Sequence, residues 1–147
     1  MKALVRAVVI TGALLFLGSA TSSLAAQRSL VGNLGSSGQW HCGWMDLSPP
    51  ADFSRGDTLR LQIGGDAQRI VVRLLPKGSK PDSDAGIVER SVAVPANRIV
   101  DVVLKDARKK IIQISVHGGP KPWDKYDLGK GNGDATLESV VVNPEKP

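Results

Sequence analysis

The chain has 147 residues, of which 41% are hydrophobic, 22% charged and 4% aromatic, with 16 Gly, 9 Pro and one Cys. The length suits one domain, and the balance of apolar and charged residues excludes wholesale disorder. A single cysteine excludes an internal disulfide framework and a Cys-rich zinc site, and two histidines leave little for a His-based metal centre.

Residues 1–26 read as a secretory signal peptide. Lys2 and Arg6 give a positive start, and Ala7 to Leu17 is apolar except for Thr11 and Gly12. Ser23-Leu24-Ala25 then places small side chains where a signal peptidase needs them, so cleavage is expected after Ala25 or Ala26. The apolar stretch is shorter than the ~20 residues of a bilayer-spanning helix, and no membrane span is expected after cleavage. Cys42 lies too far along to be a lipoprotein cysteine. The expected location is secreted or periplasmic. Two of the 19 basic residues and none of the 14 acidic ones fall in this leader, so the net charge drops from +5 to +3. That charge is too small and too interspersed for nucleic-acid binding.

Residues 27–39 form a Gly/Ser-rich entry segment, flexible or held as a loose first strand. Residues 40–142 then break into short apolar runs between turn residues, the pattern of an all-β domain. Thr58 to Ile63 alternates strictly, with Leu59, Leu61 and Ile63 on one face. Gly64-Gly65-Asp66 turns the chain into Arg69 to Leu75, where Ile70, Val72 and Leu74 face inward. Ile87 to Val94 and Asn97 to Leu104 are the next strands. Lys110 to His117 follows, with Ile112, Ile114 and Val116 expected inward and Gln113, Ser115 and His117 on the other face. Ala135 to Val142 is the last strand, and residues 143–147 are a tail. Val71, Ile99, Val103 and Ile111 are apolar residues on faces expected to point outward.

No window shows a convincing helical period. Six to eight half-buried strands need two sheets to cover their apolar faces. The expected fold is a two-sheet antiparallel β-sandwich, jelly-roll or immunoglobulin-like. The paired cysteines of an immunoglobulin domain are absent, which favours the jelly roll.

The runs FSRGDTLRLQI, KKIIQISVHGG and PWDKYDLGKGNGDATLESVVV resemble the galactose-binding-like jelly rolls of carbohydrate-binding modules, over residues 40–142. The resemblance rests on strand rhythm and loop placement. It implies sugar binding through loops at one end of the sandwich, often beside a structural calcium ion. The chain carries no clear calcium-ligand signature.

The residues themselves support a binding end loop. Sugar rings pack C–H faces on aromatic planes, while amides and carboxylates hydrogen-bond the hydroxyls. Trp123 and Tyr126, with Asp124, Asp127 and Asn132 nearby, fit that description, and His117 ends the strand leading into the loop. Burial of Trp123 as a cap on the sandwich core is the competing expectation. Trp40 and Trp44, four apart, share a face if the segment is a strand, and a buried pair covering the sandwich edge is expected. The loop Asp127 to Asp134 is acidic and Gly-rich, as calcium sites are, but it lacks EF-hand spacing and contains Lys130. No cofactor is therefore expected, with calcium as the lesser alternative. Cys42 is expected to be buried as a small hydrophobe.

Catalytic motifs such as G-x-S-x-G, H-E-x-x-H and the P-loop are missing. The function expected is non-catalytic glycan binding. A structural or protein-interaction module of the cell envelope is the alternative, and a small secreted hydrolase a weaker one.

Overall fold

The computed structural model describes residues 26–79, 87–120 and 127–145. The expected leader (1–26) lies almost wholly outside them, as do Trp123, Asp124 and Tyr126. Among the described residues there is no helix, and thus none long and apolar enough to cross a membrane. The described residues form nine strands: β1 Arg28–Ser29, β2 Asn33–Ser37, β3 Cys42–Phe53, β4 Thr58–Gly65, β5 Arg69–Pro76, β6 Ile87–Ala93, β7 Ile99–Val103, β8 Arg108–His117 and β9 Ala135–Val142.

They form two antiparallel sheets, ordered β1-β9-β4-β7 and β2-β3-β8-β5-β6. With β2 set aside as an added edge strand, neighbours alternate between early and late positions in the chain. This is the double Greek key of a jelly roll. The expected β-sandwich is therefore the observed fold.

Strict alternation places the core. Leu59, Leu61 and Ile63 of β4 and Ile70, Val72 and Leu74 of β5 meet Val100, Val102, Ile114, Val116, Leu137 and Val140 in one buried cluster. Each such side chain contributes roughly 1.5–3 kcal/mol of transfer free energy. On the solvent side of β4, Arg60 donates from Nε and Nη2 to the two Asp101 oxygens at 2.8 and 2.9 Å, fixing the β4–β7 register. The hydrogen bond to Arg60 holds the Asp101 carboxyl below its ordinary range, against a smaller opposing effect of burial.

Two expectations about faces are corrected. In β8, Gln113 pairs with Leu75 and Ile111 with Pro76, so the ladder skips Ile112. The bulge reverses the parity: Ile111 is fully buried in the core cluster, and Ile112 is only half-buried. Val71, expected outward, is also fully buried, as are Leu75 and the guanidinium-bearing Arg73 at 3% exposure. The outer face of the five-stranded sheet is therefore covered along β5. Val103 is exposed, as its outward face requires.

Strand β3 was not foreseen because it contains Ser48-Pro49-Pro50. Proline cannot donate to a ladder. The pairing with β8 jumps from Asp46 to Ala51, so both prolines sit in the irregular stretch. At the other end of β3 the two sheets close up. A Cβ added to Gly43 would lie 2.6 Å from Thr136 Cα of β9, so only glycine permits this approach.

Candidate functional site

Four connections meet at one end of the sandwich: the β2–β3 turn, and the β4–β5, β6–β7 and β8–β9 loops. The β8–β9 loop is the one singled out from sequence. Its described part is anchored from inside by Asn132, which is 7% exposed. Asn132 Oδ1 accepts from the Gln68 and Arg69 amides at 2.8 and 3.0 Å. Its Nδ2 donates to the Arg69 and Gly119 carbonyls, each at 3.0 Å. Two acceptor sites and two donors are all that a primary amide has. Asn132, expected to meet ligand, thus spends its polar atoms tying the loop to β5.

Asp127 is exposed, and its Oδ1 accepts from the Gly129 amide at 3.0 Å, which turns the chain locally. The side chain retains its second oxygen on the rim. His117 ends β8, but its ring lies on the outer face of the five-stranded sheet. There Nε2 is 2.9 Å from Ser115 Oγ, and the residue pairs in register with Cys42. Desolvation, reinforced by the charge of Arg73, pushes the His117 imidazole down to about 4. His117 is accordingly neutral at physiological pH and, half-buried, stands beside the buried Ser115 on the outer side of the sheet. Cys42 is buried as expected, and burial pushes its thiol up, away from the thiolate that a nucleophile needs.

The side chains that do reach water at this end include some that were not singled out. Trp40 is 69% exposed and lies in the β2–β3 turn, not on a strand face. The expected buried pair with Trp44 does not form. The indole of Trp44 lies against Gly35, where an added Cβ would come within 2.6 Å of it.

Next to Trp40, His41 has φ +54, a left-handed conformation unusual outside glycine. Its carbonyl accepts from the Gly118 amide at 2.8 Å and lies 3.4 Å from the Ala135 amide, which holds it there. Its ring rests on Gly119, itself at φ +88, where a Cβ would come within 2.8 Å of Cδ2. His41 Nδ1 bonds Asp134 Oδ1. Asp134 is fixed in turn, because its amide donates to Asp66 Oδ1 at 2.9 Å and its carbonyl accepts from the Ala67 amide at 2.9 Å.

The rim therefore presents an exposed indole, an oriented His–Asp pair and the carboxylates of Asp66 and Asp127. This set can stack on an apolar ring face and bond to hydroxyls around it. Among the described residues, no group of three or more His, Cys, Asp or Glu is placed to hold a metal ion. No protein-family model matches the chain, and no curated protein matches it significantly.

Proposed function

We propose that the protein is an exported, non-catalytic binding module that recognises a glycan through this loop end. The observation that carries the reading is the 69% exposure of Trp40 beside the oriented His41–Asp134 pair. A tryptophan held out of the core by a tight turn presents a rigid indole plane on which a sugar ring can stack. Trp40 supplies the stacking plane, and Trp123 and Tyr126, which fall in the sequence between β8 and β9, are proposed as further stacking residues. Asp134, Asp127, Asp124 and the outward nitrogen of His41 bond hydroxyls. Asn132 and His117 hold the frame. The resemblance to galactose-binding-like carbohydrate-binding modules supports the same site, and the leader at 1–26 supports a secreted or periplasmic location.

The test is a glycan array with the purified protein, followed by calorimetry on the best ligand. Loss of one stacking indole in Trp40→Ala should weaken binding at least tenfold, about 1.4 kcal/mol. Unchanged affinity in Trp40→Ala would overturn the assignment. A second reading, a protein-interaction module of the envelope, draws on the exposed Val31 and Leu34 at the β2 edge. An empty array together with an oligomer on sizing chromatography would favour it.

A further inference from the structure

The β6–β7 turn brings a cation into the same end of the sandwich. Arg98 has φ +61 and is held there by two bonds: its amide donates to Pro95 O, and its carbonyl accepts from Ile63 N, both at 2.9 Å. A non-glycine residue in this region is retained only where its surroundings fix it. The side chain reaches back over the loop end, and Nη1 donates to Ala67 O at 2.7 Å. Nε and Nη2 are both buried and have no hydrogen-bond partner. Among the described residues, no carboxylate pairs with this guanidinium.

A guanidinium is a permanent cation, and leaving its donors buried and unmade is costly. The Nε–H and Nη2–H bonds lie in one plane along one edge, the fork that donates to both oxygens of a carboxylate. We infer that this edge of Arg98 is a socket for a carboxylate, supplied either by a small free acid or by the carboxyl group of a sugar acid. The inference stands apart from the glycan reading, since a free acid satisfies it. The socket and the rim are close: Ala67 accepts from Arg98 through its carbonyl and donates to Asp134 O through its amide. Both free donors are shielded from water, so a carboxylate reaches them only when the packing around the guanidinium opens.

The test follows the Arg98 Nε–H signal by nuclear magnetic resonance in the purified protein, assigned through its own backbone amide. Sodium acetate, sodium glucuronate, sodium chloride and glucose are titrated at matched ionic strength. A saturable shift with acetate or glucuronate, absent with chloride and glucose, is expected. Response to both acids assigns the socket to free carboxylates, and response to glucuronate alone assigns it to a sugar acid. At a hundredfold excess over Kd, the responding acid should raise the folding equilibrium constant about 100-fold, and Arg98→Met should lose that gain. A silent Arg98 signal with both acids, or an equal shift with chloride, would overturn the inference.

Discussion

The outer face of the five-stranded sheet makes folding sensitive to mild acid through one residue. His117 is pushed from 6.5 to about 4, first by burial and then by Arg73. Ser115, Cys42 and Arg73 are its neighbours on that face. Between these two values the unfolded chain binds a proton that the folded chain refuses. Stability is therefore fully present above pH 6.5 and is lost as pH falls towards 4. At 1.36 kcal/mol per pKa unit, the whole window is worth about 3 kcal/mol. Near pH 5 the slope approaches one proton, about 1.2 kcal/mol per pH unit. Urea unfolding of the wild type and His117→Gln at pH 7.0, 6.0, 5.0 and 4.5 measures it directly. The glutamine keeps a polar group on the face but does not titrate there. The wild type should lose about 2 kcal/mol relative to His117→Gln between pH 7.0 and 4.5. Parallel stability curves for the two proteins would refute the argument.

Four further outcomes are expected. Asn132→Ala strips four bonds from the loop end and should cost about 3 kcal/mol or more in chemical denaturation, because the amides and carbonyls it served stay buried. Gly119→Ala forces a Cβ into a left-handed position already filled by the His41 ring, and should cost about 2 kcal/mol by thermal unfolding. Ile111→Ala should destabilise by about 3 kcal/mol and Ile112→Ala by much less, reading out the bulge. Trp40→Ala should leave stability within ~0.5 kcal/mol of wild type, since an exposed side chain has little packing to lose.

The sequence made the sandwich legible wherever one face of a strand was buried and the other wet. β4 and β7 show this best, because period-2 alternation follows directly from the pleat. Legibility failed where the backbone leaves its period. The bulge at Ile112 comes from pairing with two neighbours and has no signature in RKKIIQISVH itself. β3 was hidden because a proline pair reads as a strand breaker, although the ladder only has to skip it. Val71 and Leu75 differ again: their side of the sheet is covered by tertiary packing, which a single strand cannot announce.

The candidate site was half visible. Sequence pointed to the end of the fold that also carries the exposed Trp40, through the Gly-rich run from Asp127 to Asp134. It could not show that Asn132 turns inward, since an asparagine among glycines suits a binding loop and a buried staple equally well. Trp40 and His41 were missed because spacing alone cannot distinguish a strand pair from a turn. The Gly38 before them was the available signal, and the turn closes from Gly38 O to the His41 amide.

Holding the loop end together and presenting it to water fall to different atoms. Backbone groups and the buried Asn132 amide join the β4–β5 loop to the β8–β9 loop, and the His41 carbonyl joins the β2–β3 turn to both β8 and β9. Asp134 takes part in both layers, but asymmetrically. Its amide and carbonyl belong to the frame, while its carboxylate bonds only His41 among the described residues. Replacing the Asp134 side chain therefore leaves the backbone ties to Asp66 and Ala67 available, whereas replacing Asn132 removes ties at once. A rim built this way can lose its outward side chains at little cost to folding. That separation is what a recognition surface requires: Trp40→Ala and Asp134→Ala should report on binding, and Asn132→Ala on the frame beneath it.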